Sequence, residues 1–222
     1  RGEINVAKNA FRNAKNYYLK DSAFINAAGM AMNLGVMQER TGEYDSAINN
    51  YRQTVPIFEA ESDTKSLCNV FENIGLVYYQ QSEYDSTMFY FEKTDSLLNT
   101  YLEPMAMRWV GFYLNQHNVL NKKNRQDEAL ELLLKAFRIA EKNENEFFIS
   151  RLSSAMSDIY ELKGETDKQY DALLKSKKFF KDRANQYENA MLDYKFGKYH
   201  YQNGSIDSSY YFSEKALQYF KS

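Results

Sequence analysis

The sequence predicts an all-α solenoid, a stack of antiparallel helix hairpins, and three observations carry that prediction. Turn-forming residues return at Gly2, Gly42, Ser82, Asn124, Gly164 and Gly204, separated by 40, 40, 42, 40 and 40 residues. Between them the apolar residues keep helical spacing, as in Phe24, Ala27, Ala28, Ala31, Leu34 and Gly35, then Tyr44, Ala47, Ile48 and Tyr51. The loop chemistry repeats as well: Asp45, Asp85, Asp127, Asp167 and Asp207 each stand three residues after a turn residue, and Asn5 does so after Gly2. Units of this size bury their apolar faces only against neighbours, so a steady period means stacking.

Taken in order, residues 1–20 align as the second helix of a repeat whose first helix is missing from the sequence. Repeats then occupy 22–61, 62–103, 104–144, 145–184 and 185–222, giving one array over residues 1–222. First helices are expected near 22–40, 64–81, 105–121, 146–163 and 186–202, and second helices near 45–60, 85–101, 127–143, 167–183 and 207–220. The recurring aspartates are placed to cap the second helices or to oppose their positive N-terminal ends. That recurrence, shared with Glu43, Glu83, Glu128 and Glu165, argues against reading these acids as catalytic pairs. Pro104 suits the start of a first helix, and the two extra residues of the 42-residue interval belong near it. Pro56 falls inside a second helix, which must kink there or lose a hydrogen bond.

Composition excludes several classes of function. A formal net charge of −2 and a pI near 5.9 give no general attraction to phosphate backbones or anionic lipid, so direct nucleic-acid binding by this segment is not expected. Mean hydropathy is −0.67 and no run of 18 apolar residues occurs, so no membrane insertion by this segment is expected. The compartment stays open, cytoplasmic or periplasmic, with any tether outside the segment. Cys68 is the single cysteine and reads as a packing residue. His117 and His200 are the only histidines and lack zinc-site spacing, and no phosphate-cradling loop or nucleophile elbow occurs, so neither metal, cofactor nor catalytic residue is expected. Trp109 reads as core or as an exposed interface anchor. The basic helix with Lys168, Lys175, Lys177, Lys178, Lys181 and Arg183 reads as a solvated face.

Leu34-Gly35, Gly42, Tyr44, Ala47 and Tyr51 have the order and spacing of the tetratricopeptide repeat (TPR), and Ile74-Gly75, Tyr78, Ser82, Tyr84 and Phe91 repeat it. The pattern thins to Ala129, Leu133 and Ala136, to Tyr160, Gly164 and Leu173, and to Gly197, Gly204 and Ala216. His117 stands at the small-residue position of the third repeat, and Gln169 and Ser209 replace the expected alanine. The chain thus resembles a long-period TPR array, similar to those of kinesin light chains and bacterial signalling regulators. The resemblance implies a right-handed superhelix with first helices lining a concave groove.

In that groove Asn33, Asn73 and Asn115 form a column, at separations of 40 and 42 residues, that resembles the asparagine ladder of peptide-holding TPR arrays. An amide offers both donor and acceptor to a peptide backbone. The same amides can instead be satisfied internally. Further inward candidates are Asn69, Glu72, Tyr79, Asn118, Arg151, Asp158, Tyr194, Lys198 and Tyr201, with Met32, Val36, Leu76 and Leu114. Met32 and Val36 occupy places where a carboxylate-clamping TPR domain carries basic residues, so chaperone tails are not the expected ligand.

The expected function is a non-enzymatic scaffold for a protein or extended peptide. The resemblance further implies an input or docking domain of a larger bacterial regulator, of the kind in which a TPR array precedes a membrane helix and a LuxR-type DNA-binding domain. Two alternatives remain open: self-association, including a homodimer through the C-terminal end with Tyr210, Tyr211, Phe212, Leu217 and Phe220, and a hydrolase with a site assembled across repeats.

Overall fold

The computed structural model describes residues 2–180 and 186–221, and the side chains of all of these except Phe179 and Phe180. Lys181, Arg183 and the end of the helix expected at 167–183 lie outside the described residues. The chain divides into two compact units, Arg1–Pro104 and Met105–Ser222. The first holds α1 (Gly2–Lys20), α2 (Phe24–Arg40), α3 (Tyr44–Ala60), α4 (Thr64–Gln80) and α5 (Tyr84–Tyr101). The second holds α6 (Arg108–Lys122), α7 (Gln126–Lys142), α8 (Glu146–Leu162), α9 (Thr166–Phe180), α10 (Gln186–Gln202) and α11 (Ile206–Lys221). Within each unit every helix packs on the next in sequence, and α2 also touches α4 and α6 touches α8. No strand occurs among the described residues.

One turn chemistry builds almost every corner. At Gly42 the chain enters the left-handed region (φ +77°), and the Glu43 N–H donates back to the Gln38 carbonyl at 2.8 Å. Six-to-one closure of this kind satisfies carbonyls left over at a helix end. Ser82, Asn124, Gly164 and Gly204 make the same turn, with Glu83 to Tyr78, Arg125 to Leu120, Glu165 to Tyr160 and Ser205 to His200 each at 2.9 Å. The joints between hairpins are built identically at Ser22, Ser62 and Glu144, all with positive φ. The structural unit is therefore a helix and turn of about 20 residues, of which the sequence exposes only alternate corners, at Gly42, Ser82, Asn124, Gly164 and Gly204.

Several expectations are corrected. Gly2 is the first residue of α1 and not a turn. Pro104 does not start a helix; it lies in the six-residue loop between Tyr101 and Arg108, which holds the extra residues, and α6 begins at Arg108. The second helices α3, α5 and α7 have Glu43, Glu83 and Arg125 as N-caps with no side-chain capping bond, so Asp45, Asp85 and Asp127 do not cap but stand in the first turn, where they oppose the helix dipole, and Asp127 also pairs with Lys163, the C-cap of α8. Helix α3 runs unbroken through Pro56, whose missing N–H leaves the Arg52 carbonyl without its helical donor.

The core of the first unit gathers Ala28, Ala47, Tyr51, Phe58, Val70, Ile74 and Val77 from successive helices. In the second, Leu173, Leu192 and Phe196 form one cluster. Full burial of each large apolar side chain is worth about 1.5–3 kcal/mol. Cys68 and Trp109 are both in the core.

Candidate functional site

In the first unit the expected contact face is built on α2 and α4. Asn69, Glu72, Asn73 and Leu76 follow one another at i, i+3, i+4 and i+7, so a single face of α4 carries them. Asn33 holds the place on α2 that Asn73 holds on α4, one repeat away. Asn33 is exposed and Asn73 half-buried, and no hydrogen bond to another described residue occupies either amide. Glu72, by contrast, is only 7% exposed. Tyr79 sits at the hairpin end with its ring 5.9 Å from that of Tyr84, and burial pushes its phenol up.

Glu39 and Gln80, which periodicity did not single out, fix the ends of the two helices together. The Gln80 amide donates to Glu39 Oε1 at 2.5 Å, and the Tyr51 hydroxyl donates to Glu39 Oε2 at 3.3 Å. Burial raises the Glu39 carboxyl above its ordinary value, and the two hydrogen bonds oppose the rise only in part.

In the second unit the candidates divide. Asn115 is half-buried, and the Asn118 amide donates to the Leu114 carbonyl of its own helix at 2.9 Å. Arg151 is exposed, with its guanidinium 5.6 Å from the centre of the Phe147 ring. Asp158 and Lys198 are engaged between helices: Lys195 pairs with Asp158 at 2.7 Å and Lys198 with Glu161 at 2.6 Å, both joining α8 to α10. Lys195 Nζ also donates to the Ser154 carbonyl at 2.9 Å and to Ser154 Oγ at 2.8 Å. The asparagine column stops at Ala155 and Lys195, and Lys195 ties two first helices together. Tyr194 and Tyr201 remain 53% and 69% exposed. A signal for the missed ties was present: Glu161 lies 37 residues before Lys198 and 41 before Gln202, roughly one repeat in each case.

Other singled-out groups have structural roles. His117 is buried, with Nδ1 2.5 Å from the Leu114 carbonyl, and burial lowers its pKa. His200 stacks on Phe212 at 5.5 Å. On α9, Lys175 lies over Phe137 and Lys177 over Phe196 and Phe212, so these cations cover rings and do not form a free basic face. Among the described residues no group of three His, Cys, Asp or Glu is placed to hold a metal, and no helix is long and apolar enough to cross a membrane.

Two units of stacked hairpins, with a small residue seating an aromatic ring at Gly35 on Tyr51 and at Gly75 on Phe91, define a helical repeat protein of the TPR class. The solved structures agree. BtubC (BKLC) from P. vanneervenii superposes with a TM-score of 0.83 at 11% identity, over 98% of this chain and 89% of its own. The tetratricopeptide repeat sensor STAND protein of Pyrococcus horikoshii gives 0.76 at 18% identity, over 89% of this chain and 30% of that one. The Rap conjugation gene regulator of plasmid pLS20, solved in complex with the Phr* peptide, gives 0.64 at 17% identity, over 99% of this chain and 58% of that one. The chain belongs to the family described as soluble NSF attachment protein, SNAP, which matches residues 1–116, more than half of the 222. None of the curated proteins compared with it matches.

Proposed function

We propose that this chain is a non-enzymatic scaffold that holds an extended peptide or protein segment along the first-helix face of its repeats. The observation that carries this reading is the pair Asn33 and Asn73: two amides at equivalent places on touching helices, accessible and without intramolecular hydrogen bonds among the described residues. Such a pair offers donors and acceptors at repeat spacing to a peptide backbone. The Rap regulator with its bound peptide, the STAND protein with its repeat sensor and the attachment role in the family's name all favour capture of another polypeptide. In the first unit Asn69 and Tyr79 supply further contacts; in the second, Asn115, Asn118, Arg151, Tyr194 and Tyr201 are the candidate contacts of that unit's own first-helix face, while Glu72, Asp158 and Lys198 act chiefly within the scaffold. In this reading the segment is the ligand-sensing or docking part of a larger bacterial regulator, LuxR-type regulators included, and direct nucleic-acid binding or membrane insertion belongs to other parts of such a protein.

The test is a displayed library of linear peptides selected on the protein, followed by calorimetry on an enriched sequence. Asn33→Ala with Asn73→Ala is expected to weaken binding by about tenfold or more, from roughly 0.5–1.5 kcal/mol per hydrogen bond, at unchanged helicity. Unchanged affinity refutes the asparagine pair as the contact.

A second reading rests on α11, where Tyr210, Tyr211, Leu217 and Phe220 are 69%, 57%, 49% and 52% exposed. A surface of that kind favours self-association. Light scattering that shows a stable dimer indifferent to the asparagine substitutions selects it.

A further inference from the structure

The first unit also has a cleft on the side of its second helices. With a volume of about 570 Å³, it is lined by Asp45, Ile48, Asn49 and Arg52 on one face of α3, by Tyr78 near the end of α4 and by Glu83 ahead of α5. No residue of the asparagine face lines it.

Arg52 forms one pole. Its Nη2 donates to the hydroxyls of Tyr78 at 3.0 Å and Tyr90 at 3.2 Å, and these two rings stack 5.7 Å apart. The phenols hold the guanidinium in place, while Nε and Nη1 keep further N–H groups for an acceptor. No carboxylate among the described residues is within ion-pair distance of it. The trio is not part of the repeat pattern: forty residues earlier the corresponding residues are Arg12, Gln38 and Asn50.

The other pole is acidic, and the protein itself shows what fits there. One repeat earlier Glu43 is paired with Lys8, a lysine of α1 that is only 9% exposed. The residue forty positions after Lys8 is Ile48, which brings no charge. Glu83, the counterpart of Glu43, therefore has no cation among the described residues, and neither has Asp45. Asp45 and Arg52 are seven residues apart on one helix, about 10 Å.

We propose that this cleft is a subsite for a peptide segment that presents a Lys or Arg side chain together with a carboxylate. The cation takes the place against Glu83 and Asp45 that Lys8 takes against Glu43. The carboxylate accepts a single charge-assisted N–H from Arg52, from Nε or from Nη1, because Nη2 is already engaged by the two phenols. A bare anion such as phosphate meets two uncompensated carboxylates there and is disfavoured.

The test uses 6-aminohexanoate, which carries an ammonium and a carboxylate on one chain, with hexanoate, hexylamine and inorganic phosphate as comparisons that carry charge of one sign only. Side-chain NMR of Arg52 Nε–H follows each titration. Saturable shifts with 6-aminohexanoate are expected, with apparent affinity at least about tenfold weaker for each comparison compound. Arg52→Gln and Glu83→Gln, checked for unchanged circular dichroism, are each expected to lower the affinity for 6-aminohexanoate. If Arg52→Gln fails to fold, the exposed Glu83→Gln carries the comparison. No shift, equal binding of hexanoate, hexylamine or phosphate, or unaltered binding in the variants overturns the proposal. Because the readout lies at Arg52 and not at Asn33 or Asn73, its failure is separate from failure of the first-helix reading.

Discussion

A Cβ placed on Gly35 would stand 2.5 Å from Cε1 of the Tyr51 ring, so the glycine of α2 is the seat in which the aromatic of α3 rests. Tyr51 is fully buried and its hydroxyl is held by Glu39, which leaves the ring little freedom to withdraw. The same relation ties Gly75 to Phe91, where the ring is 2.8 Å from the added carbon.

Gly35→Ala is therefore expected to destabilise the protein by up to about 2 kcal/mol, because overpacking of roughly 1–3 kcal/mol outweighs the roughly 1 kcal/mol that alanine gains in a helix. Gly29→Ala on the same helix, where nothing lies within 4 Å of the added carbon, is expected to stabilise it. Urea denaturation of the two variants checks the opposite signs, and a Gly35→Ala midpoint at or above the wild-type value contradicts the seat.

Turn chemistry gives another opposed pair. Gly42 and Ser82 occupy equivalent corners at φ +77° and +64°. A side chain in that conformation costs about 1–2 kcal/mol, partly offset by the greater freedom of glycine in the unfolded chain. Ser82→Gly should raise the melting temperature and Gly42→Ala should lower it in thermal scans monitored by circular dichroism.

Glu39 sets a pH dependence. Its carboxyl is raised in the folded protein by burial, so the folded state binds its proton more tightly than the unfolded chain. The stability this contributes is complete below the ordinary glutamate value and is lost as pH rises through the raised one. Glu39→Gln, which keeps a side chain able to accept from Tyr51 or Gln80, should remove that loss. Melting temperatures from pH 4 to pH 8 should show the variant gaining on the wild type as pH rises across the carboxylate range; parallel curves contradict the assignment.

The repeat class was legible in the residues because period and sterics act locally. A glycine at a positive φ, an aromatic one helix later and a 40-residue return need only short-range geometry to be read. Three of the eight left-handed corners among the described residues, Ser22, Ser62 and Glu144, escaped notice because they adopt the same backbone without glycine or asparagine, and outside the register that marked Ser82. At Gly2 the reverse happened, where a glycine in register is helical. The candidate face was legible as a column of asparagines, yet whether each amide or charge is open depends on its neighbours. Asn33 and Asn73 remain available, whereas Asp158 and Lys198 are engaged by Lys195 and Glu161 across a helix pair.

By itself the sequence determined a stack of helical hairpins, its 40-residue period and the positions that demand a small side chain, since each follows from periodicity and backbone sterics. Only the tertiary structure decided which charges are paired and which are left open. Lys8 satisfies Glu43 while Ile48 leaves Glu83 and Arg52 facing a cleft, and that difference depends on distances between helices that no spacing along one strand of sequence contains.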